Sequence, residues 1–465
     1  MKKILLFCIT CFLAAQLFSQ RYYQFRFEDL PRSYIVYTPK NFDPSENLPL
    51  VINMHGFSTD AAFHMDYTQY NKTADTARCI VVYPNGWEKR WSTGTTFGIN
   101  TGIDDVGFLS EMMDRLIVLY NINARKIYAT GYSAGGFMSY KLGCDLTNRI
   151  AAIAPNAGNM TYDNYNSCVP ARILPLIAAN GTADGIVPLS GIPDNFPKLD
   201  TVIRFWQVWN GCGALPVADT LPNISNDGCR VVKLNFTNCT NGIITSFYRI
   251  LNGGHTWPGA DDAFVGLLGK TTQDISWNIY GWQFFKQQQI PAEVVCPAPA
   301  NLTAGFITPD SVQLSWDAVD GVDTFKIAII DSSNTVNFYK TTNTTIDVKL
   351  QAGNVYRWNA ASVCTSGYHN WNSTRPVQEI ISAVKNDASS SLLLFPNPVK
   401  DFLEIGAIAR QNNTRLTITN SIGQNLSEQI LPANNRINVS QLEPGIYYLS
   451  ISTGNKKYGA AFVKL

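Results

Sequence analysis

The run Lys126-Ile-Tyr-Ala-Thr-Gly-Tyr-Ser-Ala-Gly-Gly-Phe-Met138 decides how this chain is read. Residues 126–130 have the β-branched and aromatic character of a buried strand, and the stretch through Leu142 carries apolar side chains at helical spacing. Between them, Gly131-Tyr132-Ser133-Ala134-Gly135 forms a turn whose small neighbours let the backbone bend sharply and present a serine hydroxyl at the apex. Strand, glycine-flanked turn and helix in direct succession point to a layered α/β architecture, with Ser133 at the C-terminal end of a central strand.

Outward from Ser133, short β-rich runs alternate with amphipathic stretches from Ser33 to about Lys286, which predicts a mostly parallel sheet covered by helices. Strands are expected at 34–37, 48–54, 80–83, 126–130, 150–155, 174–178 and 245–251. Val106, Leu109, Met113, Leu116, Ile117 and Tyr120 recur at helical spacing, and 203–209 and 275–285 read as helices too. These stripes read as core, not as cofactor contacts.

A neutral serine hydroxyl is a poor nucleophile, so an adjacent base must take its proton, and histidine with its ordinary pKa of about 6.5 suits that task. The chain has four histidines. His369 falls in a later module, His64 on an expected surface helix, and His55 at the end of a strand, where it reads as a structural residue tying its loop down. That leaves His255, in Gly253-Gly-His-Thr-Trp-Pro-Gly259 after the last long strand. Where a strand-turn-helix serine works with a histidine, the orienting acid follows the serine and precedes the histidine. Asp184, in Asn180-Gly-Thr-Ala-Asp-Gly185 after a strand, meets that order. Asp104 and Asp105 are rivals by residue type, but they precede the serine at a helix start, where an N-cap or dipole role is expected. The backbone N–H groups of Phe57 and Ala134 are placed to hold an oxyanion. Trp87, Trp91 and Trp257 fall in loops near this site, where they would stack on a flat substrate group, with core packing as the competing reading.

In order along the chain stand His55-Gly-Phe57, Asp104-Asp-Val-Gly-Phe108, Gly131-Tyr-Ser-Ala-Gly-Gly136, Gly181-Thr-Ala-Asp184 and Gly254-His-Thr-Trp-Pro-Gly259. Together they resemble the polyhydroxybutyrate depolymerase and feruloyl/acetylxylan esterase group of α/β-hydrolases over about residues 30–288. The resemblance implies an α/β-hydrolase fold and ester hydrolysis by Ser133, Asp184 and His255. The chain departs from the group's pattern around the serine, with Tyr132 and Ala134 where many relatives have His and Asn, and at Trp91-Ser92, where Trp-Asn is common. Those departures bear on the subgroup, not on the triad.

Met1-Lys-Lys3 followed by the apolar run 4–17 has the layout of a signal peptide, with a mature chain expected to begin near Gln20 or Arg21. That run is shorter than the ~20 residues needed to cross a bilayer, and no later stretch comes close, so no integral membrane segment is expected. Cys8 and Cys11 follow Phe7 and Thr10, not the small residue that usually precedes a lipid-modified cysteine. The other eight cysteines read as disulfide partners in an exported protein: Cys296 and Cys364 fall together in a later module and are expected to pair there, while the sequence fixes no connectivity among the other six, for which Cys144–Cys168 and Cys212–Cys239 are the pairs chosen. A net charge of +1 supplies no chain-wide field for nucleic acid, and no metal or organic cofactor is implied.

Near Pro291 the chain becomes Pro-rich, a joint at which helices stop. Residues 297–381 then alternate apolar and polar in short runs, and Pro299-x-x-Leu302, Leu314-Ser-Trp316 and Tyr356-x-Trp358 resemble the fibronectin type III family. After the Ser-rich 388–391, Phe395-Pro-Asn-Pro398, Gly445-Ile-Tyr-Tyr448, Gly454-Asn455 and Phe462-Val-Lys464 look like the C-terminal sorting domain of the bacterial type IX secretion system. An accessory carbohydrate-binding β-domain is the competing reading. The expected layout is a signal peptide at 1–20, an α/β-hydrolase domain at 21–290, and small all-β sandwiches at 296–382 and 392–465.

The expected function is a secreted or cell-surface serine carboxylic-ester hydrolase, working through an acyl-enzyme on feruloyl or acetyl esters of plant polysaccharide. Its expected partners are that polymer and the type IX secretion machinery. A polyester depolymerase is the alternative substrate reading. A peptidase of the same fold, or a catalytically dead binding protein, are further readings.

Overall fold

A computed structural model describes residues 19–94, 102–261, 265–308, 311–351, 354–372, 378–381, 392, 394–406, 414–420, 424–453 and 456–465. Residues 1–18 of the expected signal peptide, Cys8 and Cys11 among them, the Ser-rich 388–391 and Gly454-Asn455 lie outside the described residues, and Gln20 already belongs to the first strand. By its internal contacts the chain divides into two units, one of residues 1–109, 126–145 and 150–288, the other of 110–125, 146–149 and 289–465.

Five strands of the first unit, β3 (Leu50–Met54), β4 (Ile80–Pro84), β5 (Ile127–Tyr132), β6 (Ala152–Asn156) and β7 (Leu176–Gly181), are buried along their whole length. Continuous burial is what a parallel sheet covered on both faces demands, and it explains their near-unbroken apolar sequences. With β1 (Gln20–Phe27), β2 (Leu30–Tyr37), β8 (Val217–Thr220), β9 (Arg230–Phe236) and β10 (Thr245–Leu251) they form one ten-stranded sheet in the order β1-β2-β4-β3-β5-β6-β7-β10-β9-β8. The strands from β4 to β10 across the middle are parallel, and both margins are antiparallel.

The helices are α1 (Ala61–Thr68), α2 (Tyr70–Ala77), α3 (Asp105–Tyr120), α4 (Ala134–Asp145), α5 (Tyr162–Ser167), α6 (Leu199–Trp209), α7 (Val265–Leu268) and α8 (Trp277–Phe285). Of these, α4 packs on β3, β5 and β6, α8 on β6 and α6 on β10. This is the α/β-hydrolase architecture, and the expected central strands and long helices are all present. Strands β1, β8 and β9 were not expected. They lie at the sheet margins, and β8 is exposed throughout, so neither an apolar run nor clean alternation marks it. Strand β1 joins β2 through Glu28-Asp29, both at positive φ, the backbone a two-residue hairpin turn requires.

In the second unit, β11 (Thr303–Thr308), β12 (Ser311–Ser315) and β15 (Thr345–Lys349) form one antiparallel sheet. A second contains β13 (Phe325–Ile330), β14 (Val336–Thr341), β16 (Val355–Val363), β17 (His369–Trp371) and β18 (Gln378–Ile381). Trp316, Phe325 and Trp358 meet in a shared core, which gives a β-sandwich. Further along, β19 (Leu394–Phe395), β20 (Phe402–Ile405) and β23 (Arg436–Asn438) make a three-stranded sheet. There β21 (Arg415–Asn420), β22 (Asn425–Ile430), β24 (Gly445–Thr453) and β25 (Lys456–Lys464) make a four-stranded one, around Leu403, Leu416, Leu449 and Phe462. All three expected disulfides are formed, and Cys79 and Cys229 are free and buried.

Asp114, fully buried in the second unit, accepts hydrogen bonds from four side chains. Arg149 Nη2 (2.5 Å) and Trp371 Nε1 (3.1 Å) reach one oxygen, and Lys326 Nζ (2.7 Å) and His369 Nδ1 (2.8 Å) the other. Burial alone would raise this carboxyl's pKa, but Arg149, His369 and Lys326 together hold it well below its ordinary value. Replacing Asp114 by Ala leaves buried cations uncompensated and is expected to cost about 3–5 kcal/mol in denaturant melts. Because the folded pKa is depressed, the carboxylate's contribution is complete above the unfolded value of about 4 and is lost as pH falls towards the folded one. The acid limb of stability should therefore flatten in Asp114→Ala; a limb identical to that of the unaltered chain would refute this assignment.

Candidate active site

The serine turn is built by exclusion of side chains. A Cβ on Gly135 would come within 2.1 Å of the Met54 carbonyl oxygen, and one on Gly131 within 2.5 Å of the Gly135 backbone. Glycine at both positions lets the first turn of α4 press against the end of β3. Ser133 itself holds φ +56°, a left-handed conformation unusual for a side-chain-bearing residue. Its N–H donates to the Asn156 carbonyl at 3.0 Å, so β6 holds the strained residue in place.

Three segments distant in sequence converge on this turn. His255 Nε2 lies 2.8 Å from Ser133 Oγ, and His255 Nδ1 lies 2.7 Å from Asp184 Oδ2. The other Asp184 oxygen accepts the N–H groups of Ile186 and Val187, both at 2.8 Å, so the carboxylate cannot rotate away from the imidazole. Nδ1–H therefore donates to Asp184, and Nε2 is left to accept the serine proton. His255 and Asp184 are 3% and 4% exposed, which shields this chain of bonds from competing water. The arrangement can deliver an activated hydroxyl to an electrophilic carbon.

The loop after β3 carries His55-Gly56-Phe57. His55 is buried, and burial pushes its pKa down to about 4, so it is a neutral ring. Its Nε2 accepts the Gly86 N–H at 2.9 Å and its Nδ1–H donates to the Gly56 carbonyl at 2.7 Å. It acts as a brace for the loop. Ala134 opens α4, where the helix dipole favours negative charge. Among the described residues the N–H groups of Phe57 and Ala134 have no hydrogen-bond acceptor.

The tryptophan expectation is corrected. Trp91 and Trp257 are 0% and 1% exposed, so neither presents a ring face to a substrate. Trp91 donates to the His55 carbonyl at 2.9 Å, and Trp257 to Asn278 Oδ1 at 3.0 Å. Both are supports of the loops they occupy. Trp87 is half-buried and lines a cavity of about 480 Å³ with Tyr22, Arg32 and Lys89. His64, expected on a surface helix, does lie on α1 but is buried, hydrogen-bonded to Asn53 Oδ1 at 2.8 Å and set edge-on to Trp257. Asp104 caps α3 through the Gly107 N–H at 2.7 Å, and Asp105 pairs with buried Arg32, so both rivals of Asp184 are structural.

Sequence reasoning missed Tyr132 and Tyr67. The Tyr132 hydroxyl donates to the His255 carbonyl at 2.6 Å, and its ring lies 5.0 Å from the imidazole. Tyr67 accepts the Trp257 N–H at 3.0 Å and meets the Tyr132 ring edge-on at 5.4 Å. Tyr132 fills a variable position of the serine motif and Tyr67 belongs to no motif. Among the described residues no group of three or more His, Cys, Asp or Glu side chains is placed to hold a metal ion.

Residues 393–464 match the family described as the secretion system C-terminal sorting domain. The chain is 26% identical over 227 residues to a bifunctional acetylxylan esterase/xylanase of Neocallimastix patriciarum, covering 49% of this chain and 31% of that protein. It is 28% identical over 274 residues to feruloyl esterase B of Piromyces equi, covering 56% and 46%. To feruloyl esterase C of Emericella nidulans it is 25% identical over 254 residues, covering 54% and 83%. The chain thus spans less than half the length of the first two of these relatives.

Tyr132→Phe leaves a buried carbonyl without its donor and is expected to cost about 1–3 kcal/mol of stability. It should also lower kcat more than it changes KM, because the loosened part is the loop carrying His255. Steady-state kinetics beside thermal melts check both effects, and unaltered kcat would contradict the role given to Tyr132.

Proposed function

We propose that the chain is an exported serine esterase that hydrolyses feruloyl or acetyl esters carried on plant polysaccharide. The observation that supports this most directly is the hydrogen-bonded series Ser133 Oγ, His255 imidazole, Asp184 carboxylate at 2.8 and 2.7 Å on a strained elbow. The relatives named for feruloyl and acetylxylan esterase activity support the substrate class, and the sorting-domain match supports export with the type IX machinery as partner. Domain limits of 21–290 for the hydrolase, 296–382 for the fibronectin-like sandwich and 392–465 for the sorting domain belong to the same reading.

In this mechanism Ser133 Oγ attacks the acyl carbonyl carbon while its proton passes to His255 Nε2. Asp184 stabilises the resulting imidazolium. The carbonyl oxygen becomes an oxyanion held by the N–H groups of Phe57 and Ala134, worth roughly 3–4 kcal/mol per donor. Collapse of the tetrahedral species breaks the C–O bond to the alcohol, which takes the proton from His255 and leaves as sugar hydroxyl. Water, deprotonated by the same histidine, then releases the acid from the acyl-serine.

The test is hydrolysis by the full chain of methyl ferulate, acetylated xylan and a polyhydroxybutyrate film, with Ser133→Ala as blank. Ser133-dependent release from either of the first two is expected. Clearing of the film alone would make the protein a polyester depolymerase, and activity on none with the fold intact would remove the esterase reading. Asp184→Asn should keep the fold and lower kcat by about 10⁴-fold, because the imidazole then loses its enforced tautomer.

A further inference from the structure

A groove of about 850 Å³ runs between the corner joining α1 to α2 and the segment beyond His255. Phe63, Asp66 and Tyr67 line it from α1 and Lys72 from α2, with Asp261 and Gln273 among the residues opposite. Tyr67 joins the groove to the reaction centre. Its hydroxyl takes the N–H of Trp257, two residues past His255, and its ring abuts Tyr132, the residue before Ser133.

We propose that this groove is a glycan subsite, holding the sugar chain of the esterified polysaccharide while its acyl group is presented to Ser133. The proposal rests on the esterase reading above and extends it to a site with its own chemistry. Phe63 is 40% exposed and stacks with Tyr67 at a centroid distance of 6.1 Å, offering aromatic surface to the C–H face of a sugar ring. Asp66, Gln273 and Asp261 share the lining with it and supply acceptors that match hydroxyl groups, the Gln273 Nε2 also donating to the Ala260 carbonyl at 2.7 Å. The lining holds two carboxylates, Asp66 and Asp261, against one ammonium, Lys72, a balance that disfavours a polyanion, and the chain it fits is an uncharged one such as xylan. A polyester carries no hydroxyl groups along its length to donate to these carboxylates, and desolvating them against it would leave them unsatisfied. The volume lies within the roughly 300–1,000 Å³ of small-ligand sites and suits a short oligosaccharide.

The full chain and its Phe63→Ala/Gln273→Ala variant are compared on an esterified xylo-oligosaccharide and on a glycan-free ester, methyl ferulate or 4-nitrophenyl acetate. The ratio of kcat/KM for the oligosaccharide over the small ester should fall about tenfold in the variant, chiefly through KM. An unchanged ratio would overturn the subsite. Because both substitutions lie at the surface of the groove, circular dichroism should show the fold retained; as a second measurement, unesterified xylo-oligosaccharide is titrated onto Ser133→Ala by calorimetry. Binding that Phe63→Ala weakens supports the proposal, and no binding, or polygalacturonate bound as tightly as xylan, overturns it. Failure of the esterase reading shows separately, as absent Ser133-dependent turnover of every ester.

Discussion

The close approach of two backbones at the serine turn is the constraint on which the rest of the site depends. With no Cβ at Gly131 and Gly135, α4 begins directly against the Met54 carbonyl, and Ser133 is forced to positive φ with its hydroxyl beyond the sheet. Positive φ at a serine costs on the order of 1–3 kcal/mol and persists only where surroundings over-determine it. Here the surroundings are β3 on one side and β6 on the other, both wholly buried, so the stability of the sheet is used to hold a reactive group in a poor conformation. The same geometry puts the free N–H of Ala134 beside the serine, so one backbone constraint places both the hydroxyl and an unused donor next to it.

The histidine and the acid are held by polar bonds as well as by packing. Trp257, Asn278, Thr68, Asn53 and His64 form a continuous buried series that ties the loop after His255 to α1 and β3. Every link is a satisfied donor and acceptor away from water, where an unmade bond is costly and a made one is directional. The Gly254-His-Thr-Trp-Pro-Gly259 stretch is therefore mostly bracing, and only its His255 touches the serine. Asp104-Asp-Val-Gly-Phe108 is comparable: Asp104 caps the helix, Asp105 joins Arg32 to the Ser92 N–H, and Phe108 lies under the Arg32 guanidinium at 3.8 Å. Motif residues in this chain are more often braces than reagents.

The sequence by itself determined the layered fold and picked out the three side chains, Ser133, Asp184 and His255, that the structure brings into hydrogen-bond contact, because both rest on local or ordinal information. Glycines flanking a serine between a strand and a helix describe a turn within a few residues, and the order serine, acid, histidine together with a position just after a strand singled out Asp184 and His255. The Cys296–Cys364 pair was legible for a similar reason, both being alone in their module, whereas the spacing of the other six cysteines fixes no connectivity. Tertiary structure alone decided which aromatic rings face outward. Trp91 and Trp257 look like binding residues in a loop but are buried, while Phe63, on a helix with no motif, is exposed in the groove. It also decided the place of His64, and the convergence on Asp114 of Lys326 and His369 from more than two hundred residues away, beside Arg149 from 35. The physical reason is common to all of these: exposure and ion pairing depend on which distant segments pack together, and a side chain's chemical type does not encode what covers it.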